Sequence, residues 1–218
     1  MAGKSTIQWH LNLHMSSEWL IKGGSERDLA DTHVLSDLLG YPYIPASTIK
    51  GQLRYQHRRL ASLYPQLQEW ETFFFGEKGF RHGHLYITDA RLKDSLPSEQ
   101  LLLYRSRVAI DRKRRVSRDQ ALLTEEVVIP GINLYSELMC HVPPMYVGHA
   151  VAALTLCILN IRYLGSGKSI GRGHLRVRYK GTELSTDDST VEVSVDNQPW
   201  TYDELVQEIH SLTQQENQ

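Results

Sequence analysis

Segments with the two-residue period of a strand alternate along this chain with segments that have the spacing of a helix. In the first of them, Ile7, Trp9 and Leu11 alternate with polar neighbours, which predicts a half-buried strand. A long polar loop separates this strand from a helical pattern that begins after Pro45. The later segments predict two strands, a buried helix and a closing strand, at residues 83–92, 132–142, 147–164 and 174–181.

The predicted order of elements is βαββαβ. This order is typical of an α+β sandwich of the ferredoxin-like, RNA-recognition type. We assign residues 1–180 to this core, with insertions at 16–45 and 91–131, the second of which is too long for a hairpin turn and should project. Residues 181–218 are expected to form an acidic C-terminal appendage that includes a helix.

The charge of the chain is strongly asymmetric although its net value is -1. Residues 181–218 hold nine of the 25 acidic residues and none of the 24 basic ones, which leaves 16 acids against 24 cations before them, about +8. Residues 105–118 hold seven cations against one acid, and residues 162–180 hold six with no acid. One such run is usually a solvated face, whereas two favour binding to nucleic acid.

Cysteine and hydropathy patterns exclude several classes of protein. Cys140 and Cys157 are the only cysteines and lack partners at metal-ligand spacing, so we expect core thiols and neither a zinc site nor a disulfide. No apolar run is long enough to span a bilayer, and the first residues lack the apolar stretch of a signal peptide. We therefore expect a cytoplasmic protein that does not bind membranes.

A glycine-rich basic loop precedes the closing strand. It does not match the phosphate-binding loop of nucleotide hydrolases, which would need glycine at Arg162, or the dinucleotide fingerprint, which would need glycine at Ile170. Glycines still allow backbone N–H groups to surround a phosphate while cations neutralise it. The residues predicted to do so are Gly167, Lys168, Ser169, Gly171 and Arg172. A merely flexible turn is the alternative.

Four segments together resemble the signature regions of the RAMP superfamily. They are YIPASTIKGQLR (43–54), FFFGEKG…GHLYITDARL (73–92), AIDRKRRVSRDQALLTEEVVIPGINLYSEL (109–138) and GSGKSIGRGHLRV (165–177), in the family's order. Within it, the chain is most similar to the backbone subunits of type III CRISPR interference complexes. The resemblance implies a core that polymerises along a guide (CRISPR) RNA and leaves its bases free to pair with single-stranded target RNA. It also implies a thumb-like β-hairpin that inserts into the duplex, and as partners other RAMP subunits and a large signature subunit.

Phosphate contacts should dominate in such a protein, because the guide bases must remain free. The N-terminal turn of the first predicted helix supplies hydroxyls and a cation where the helix dipole favours a phosphate, and one further cation lies a turn later. These candidate RNA-binding residues are Ser47, Thr48, Lys50 and Arg54. Arg112, Arg114 and Arg115 lie in the segment that resembles the thumb, with plain solvent exposure as the alternative.

Catalysis is implied only by the resemblance. In backbone subunits of this kind, an acidic residue in the loop between the first strand and the first helix cuts the target RNA. Asp31 lies closest to that position, with Asp37 matching a second acid and Asp28 and His33 nearby. We expect Asp31 to hold a magnesium ion that stabilises the charge of the transition state. The alternative is that these acids serve solubility or turns.

Two other functions remain open from the sequence. One is an RNA scaffold of the same complex that does not cut. The other is a metal-independent guide-processing endoribonuclease that uses His57 or His174. Such processing enzymes usually carry two of these folds in tandem, whereas 218 residues accommodate one.

Overall fold

A computed structural model describes residues 3–23, 30–77, 79, 81–93, 96–111 and 116–214, with the backbone alone for 109–111 and 116–121. The helices are α1 (Ala46–Ala61), α2 (Gln68–Phe75), α3 (Val147–Leu159) and α4 (Tyr202–Gln214). The strands are β1 (Ser5–Met15), β2 (Gly76–Glu77), β3 (Arg81–His82), β4 (Tyr86–Ile87), β5 (Arg91–Leu92), β6 (Leu102–Asp111), β7 (Val116–Val128), β8 (Ile132–Val142), β9 (Val177–Tyr179), β10 (Ser189–Val195) and β11 (Gln198–Pro199).

The main sheet has β1 near its centre, between β8 and β10. Its order is β11-β10-β1-β8-β4, with β5 also on β8 and β9 on β10. Strands β8 and β10 both run antiparallel to β1, so that Trp9 lies opposite Leu138 on one side and Val193 on the other. This arrangement confirms the predicted α+β fold with an RNA-recognition-type core.

The alternating residues of β1 form the centre of the core. Ile7, Trp9 and Leu11 are buried, as the two-residue period predicts. The indole Nε1 of Trp9 donates to the Thr155 hydroxyl at 3.0 Å, which ties β1 to α3. Burial raises the pKa of the Cys140 thiol to about 12, as expected for a core thiol.

The fourth strand of the core differs from the prediction. Residues 174–181 were expected to provide it, but only Val177–Tyr179 is a strand, and it pairs in parallel with β10. The position beside β1 is taken by β10 instead, because Val191 and Val193 alternate with polar residues and bury one face. The predicted boundary at residue 180 therefore does not separate the core from an appendage.

The C-terminal helix α4 confirms the helix expected in the acidic segment. It packs against α3 through a face that includes the buried Leu205 and Leu212. Its N-terminus is a reciprocal capping box, in which Thr201 N–H donates to a Glu204 carboxylate oxygen at 2.7 Å and Glu204 N–H donates to the Thr201 hydroxyl at 3.3 Å. The Thr201 hydroxyl also donates to the Glu204 carboxylate at 2.6 Å, and this bond, together with the one from the Thr201 N–H, lowers the pKa of Glu204.

The second insertion contains a β-hairpin that is separate from the main sheet. Strands β6 and β7 form their own two-stranded sheet, paired from Leu102 opposite Val128 to Val108 opposite Leu122. At its base, Trp19 and Val128 exchange backbone hydrogen bonds at 3.2 and 2.9 Å and join the hairpin to the segment after β1. The expected thumb-like hairpin is therefore present, and we call it the thumb.

The first insertion, residues 16–45, lies partly along the thumb. Thr32 forms a parallel bridge with Glu125 of β7. Asp31 and Thr124 are also paired, since the Asp31 N–H donates to the Thr124 carbonyl at 2.9 Å. Among the helices of the described ranges, none combines the length and the apolar character needed to cross a membrane.

Candidate nucleic-acid interface

The glycine loop, residues 163–174, depends on glycine for its backbone conformation. Gly165, Gly167, Gly171 and Gly173 all have positive φ, between +69° and +91°. A Cβ atom on Gly173 would lie 2.0 Å from the Leu164 carbonyl oxygen, whereas one on Gly171 would meet nothing within 4 Å. Close backbone packing thus holds the loop at Gly173, whereas the space beside Gly171 is open.

A groove of about 930 Å³ separates this loop from α1. Its described lining comes from one face of α1, the end of α3 and the loop: Gln52, Tyr55, Gln56, Arg59, Asn160, Arg162, Tyr163, Gly165, Ser166, Gly167, Lys168 and Ser169. Three of these side chains are cationic, and the described lining includes no Asp or Glu. We call it the basic groove.

Cations and aromatic rings lie side by side in the basic groove. The Arg59 guanidinium lies 5.8 Å from the centre of the Tyr55 ring, one helical turn earlier. Arg162 is exposed, and its Nη1 donates to the Leu159 carbonyl at 2.7 Å, so its cation is fixed at the C-terminal end of α3. Lys168 is exposed at the tip of the loop. Such a surface offers counter-charges for phosphates and ring faces for bases.

The N-terminal turn of α1 only partly matches its predicted role. Thr48 lines a smaller recess of about 300 Å³ with Lys22 and Ser166, beside the basic groove. The Ala46 N–H is already taken by the Asp89 carboxylate at 2.9 Å, so a negative charge stands where a phosphate was expected. Thr48 therefore faces the glycine loop, one N–H of the helix end is taken by a carboxylate, and phosphate binding by this turn stays a prediction.

Lys50 and Arg54 share one side of α1, as predicted, but that side does not line the basic groove. Arg54 donates to the Gly76 carbonyl and lies 3.5 Å from a Glu71 oxygen, facing α2. Burial and the neighbouring Arg54 lower the pKa of Lys50. Ser47 is exposed and also lies outside the described lining of the groove. RNA contacts by these three side chains remain predictions, on a different face from the groove.

Arg172 was predicted to neutralise a phosphate, and the structure contradicts this. Its side chain is buried, and its Nη1 donates to the Glu125 carboxylate at 2.7 Å. Glu125 also lies 2.8 Å from Nε of Arg107 on the thumb. Arg172 is therefore occupied by a protein carboxylate, because the glycine loop folds back onto the base of the thumb.

Three consecutive residues of β7 connect the thumb to the rest of the molecule, and we call them the β7 triplet (124–126). The Thr124 N–H donates to the Asp31 carboxylate at 2.7 Å. Glu125 binds Arg172 of the glycine loop, and Glu126 accepts the Val34 N–H at 2.9 Å. The triplet thus contacts both the acid-bearing loop and the glycine loop.

The three acids proposed from the sequence have different environments. Asp31 is exposed, with one oxygen bound to the Thr124 N–H. Asp37 accepts the Leu39 and Tyr41 N–H groups, both at 3.0 Å, and pairs with Arg91, which is the arrangement of a turn-forming residue. Outside the described residues lie Asp28 and the thumb cations Arg112, Arg114 and Arg115.

Of the two histidines of the alternative processing function, the structure excludes His57. His57 is fully buried, edge-on to Phe75 with 5.8 Å between ring centres, and burial lowers its pKa. A core histidine cannot reach an RNA substrate. The ring of His174 packs against Tyr163, and its Nδ1 lies 2.9 Å from the Ser16 hydroxyl.

A protein-family model for the RAMP superfamily matches residues 12–176, about three quarters of the chain. The chain belongs to the RAMP superfamily. Two solved structures share the RAMP fold seen here. The chain is 16% identical to a subunit in the cryo-EM structure of the type III-B Cmr-beta complex in the apo state, with a TM-score of 0.59 over 77% of this chain and 95% of that one. It is also 16% identical to a subunit of type III-B Cmr-beta bound to cognate target RNA, with a TM-score of 0.61 over 78% and 96%. No curated protein matches the sequence.

The described part of this RAMP chain contains no group of three or more His, Cys, Asp or Glu side chains that could hold a metal ion. Magnesium is commonly bound by one or two carboxylates, with waters and substrate phosphates as the other ligands. An exposed Asp31 with one oxygen fixed by a backbone N–H is compatible with that mode of binding.

The side chains that α1 of this RAMP chain contributes to the groove were not predicted from the sequence. Tyr55 and Arg59 are four residues apart, so they share a helix face that the apolar pattern leaves outside the core. That spacing was a usable signal. The participation of Arg162 was not visible, because it depends on how the end of α3 meets the loop.

Proposed function

We propose that the chain is a guide-RNA-binding backbone subunit of a type III CRISPR ribonucleoprotein. The observation that carries the proposal is the basic groove between α1 and the glycine loop. The likeness to a subunit of a Cmr complex bound to cognate target RNA supports the choice of RNA as the ligand.

The chemistry of the groove suits an RNA backbone held without regard to sequence. Arg59, Arg162 and Lys168 supply the counter-charges, and the exposed Ser169 supplies a hydroxyl. The rings of Tyr55 and Tyr163 are sequence-tolerant stacking surfaces. Phosphate contacts of this kind position a guide while its base edges stay free.

The test is to purify the protein, sequence the RNA that accompanies it, and compare binding to single-stranded RNA and to duplex DNA. The double variant Arg59→Ala, Lys168→Ala should lose RNA affinity by at least tenfold. Lys180→Ala is the matched control, since Lys180 is an exposed lysine that pairs with Glu192 of β10 outside the groove. Equal RNA affinity of the groove variant and the wild type, or tighter binding to duplex DNA, would count against the proposal.

We further propose that Asp31 supports magnesium-dependent cleavage of the target RNA. Its exposed carboxylate is held at the base of the thumb by the Thr124 N–H. Bound there, the ion would supply charge to stabilise the transition state of an attack on the phosphate. Asp31 itself would orient the ion, and the hydrogen bond from Thr124 of the β7 triplet would hold Asp31 beside the thumb.

A scaffold that binds RNA without cutting it is the second candidate. The observation that favours it is that Asp31 belongs to no group of three or more His, Cys, Asp or Glu side chains that could hold a metal ion within the described residues. A cleavage assay with and without magnesium separates the two. In both cases the proposed setting is the cytoplasm, with other RAMP subunits, a large signature subunit and further copies of this chain as partners.

A further inference from the structure

The main sheet has a second face, on the side opposite to the core. It carries the polar residues of β1, such as Asn12, which follows the buried Leu11 and points to the other side of the strand. Asn12 lies opposite Tyr135 of β8 and Thr190 of β10, and Thr190 lies opposite Arg178 of β9. These four residues form one row across the sheet, and we call the surface that contains this row the outer face.

The outer face has the components of an RNA-binding surface. Arg176, Arg178 and Lys180 have the two-residue spacing that places side chains on one face of a strand, and hydrogen bonds at 2.8 and 2.9 Å to β10 continue the pairing to both ends of this stretch. Further along the row, the Lys93 ammonium lies 5.0 Å from the centre of the Tyr135 ring. In RNA-recognition folds, bases stack on aromatic rings of such a sheet face.

The three cations of β9 and its flanks are each paired with an acid from the segment that follows. One oxygen of the Asp188 carboxylate lies 3.9 Å from Nε of Arg176, and the other oxygen lies 3.9 Å from Nε of Arg178. The Lys180 ammonium pairs with a carboxylate oxygen of Glu192. Only 6% of the Asp188 side chain is exposed, so this carboxylate is held between the two guanidinium groups.

These ion pairs affect the binding of anions more than the stability of the fold. The side chains of Arg176 and Arg178 are 57% and 41% exposed, and ion pairs of exposed cations contribute little to folding. A phosphate that approaches either cation, however, also meets the negative charge of the carboxylate beside it. The basic groove differs in this respect, because its described lining contains no Asp or Glu.

Further acids lie on the outer face. His10, in the middle of β1, lies opposite Glu137 on one neighbouring strand and Glu192 on the other. The Glu137 carboxylate is 3.5 Å from the His10 ring, and the Asp187 carboxylate is 4.0 Å from the ring of His14. A polyanion on this face would therefore lie against several carboxylates.

We propose that Asp188 and Glu192 occupy the places of RNA phosphates on the outer face and thereby restrict RNA to the basic groove. The acidic segment after β9 thus determines where on the molecule RNA binds. The inference rests on the proposed function, because RNA is taken as the ligand of the groove, and it adds a reason why the sheet face is closed to the same ligand.

The test uses an oligouridylate that contains photoreactive 4-thiouridine. The double variant Asp188→Asn, Glu192→Gln should cross-link to it at Tyr135 as well as in the basic groove, whereas wild type should cross-link only in the groove. Both changes keep the size of the side chain, and an amide oxygen can still accept the Ser185 N–H that Asp188 accepts at 3.0 Å. Circular dichroism checks the fold. If the double variant unfolds, Glu192→Gln alone should still give the Tyr135 cross-link at lower yield, because it releases Lys180.

Affinity for the same oligouridylate provides a second readout. The groove variant Arg59→Ala, Lys168→Ala should bind weakly, and addition of Asp188→Asn, Glu192→Gln should restore roughly tenfold, because the released cations then bind phosphates. Addition of Glu69→Gln, Asp203→Asn is the matched control, since it also removes two exposed acids, from α2 and α4, and it should restore much less.

The outcomes separate this inference from the proposed function. A wild type that cross-links at Tyr135, or an acid variant that neither cross-links there nor regains affinity in the groove variant, would overturn the inference. Recovery that is equal for the matched control would also overturn it, because the effect would then be one of net charge. Equal RNA affinity of the wild type and the groove variant would instead contradict the proposed function.

Discussion

Arg172 of the glycine loop and Glu125 of the thumb form a buried ion pair, with Nη1 and Oε2 2.7 Å apart and relative exposures of 6% and 5%. This pair joins the glycine loop to the thumb, the two parts of the molecule that were each predicted from the sequence to bind RNA. Because Glu125 also contacts Arg107, the carboxylate lies between one loop cation and one thumb cation.

Removing one partner of this pair should destabilise the protein strongly. Arg172→Met leaves Glu125 with a single, partly exposed cation, so we expect a loss of about 3 kcal/mol in the free energy of unfolding. The double variant Arg172→Met, Glu125→Leu should lose less than the sum of the two single changes. Urea unfolding of the four proteins measures both, and additive losses would show that the two side chains do not interact.

Gly171→Val should weaken RNA binding while the domain stays folded. The backbone at Gly171 has φ +81°, which a β-branched residue adopts only with strain, and the space around its Cβ position is open. Gly173→Ala is the contrasting change, because its Cβ would meet the Leu164 carbonyl oxygen and should destabilise the fold itself. Circular dichroism and RNA affinity of both variants separate the two effects. Unchanged affinity for Gly171→Val would mean that the loop is only a turn.

The buried His57 should make the protein less stable in mild acid. Burial lowers its pKa below the ordinary 6.5, so as pH falls through about 6.5 the unfolded chain takes up a proton that the folded chain does not. Stability attributable to His57 is therefore complete above that pH and is lost below it, by at most about 1.4 kcal/mol per pH unit. His57→Phe should flatten this part of the stability profile measured by urea unfolding, and an unchanged profile would show that His57 does not cause it.

Asp31→Ala should abolish cleavage of a guide-complementary RNA by the assembled complex, with assembly and target binding nearly unchanged. The change removes stabilisation of the transition state and leaves the cations of the basic groove in place. Asp37→Asn is the internal control, because Asp37 acts in a turn. A gel of labelled target RNA, with chelator and then with magnesium restored, reports the result. Unimpaired cutting by the Asp31→Ala complex would falsify the assignment, and loss only in an Asp28→Ala complex would move it along the loop.

The sequence predicted the elements whose pattern is local. The alternation around Trp9 forms the expected strand, and the apolar run after Pro144 forms the expected helix, which however ends at Leu159 and not at residue 164. β10 was missed as a core strand although Val191 and Val193 alternate with polar residues, because the acidic surroundings suggested an appendage. Which strand lies next to β1 depends on the whole sheet, so it could not be predicted from the residues of β10 alone.

The candidate site was less predictable, because its side chains are defined by distant partners. From the sequence, Arg172 was predicted to be a free cation of the loop, because its partner Glu125 is 47 residues away in the chain. In the same way, the Asp89 carboxylate, which lies between β4 and β5, accepts the Ala46 N–H at the start of α1. The place of Arg59 in the basic groove could have been predicted from the sequence, since its spacing from Tyr55 places both on one helix face.

The salt dependence of binding to single-stranded RNA tests the central claim most directly. If phosphates are held by the cations of the basic groove, log affinity should fall linearly and steeply with log salt. Replacing Arg59 and Lys168 together by alanine should lower the magnitude of the slope by about 1.4, at about 0.7 for each lost phosphate contact to a single strand. Lys180→Ala should leave the slope unchanged. A flat dependence for the wild type, or an identical slope for the groove variant, would contradict the account.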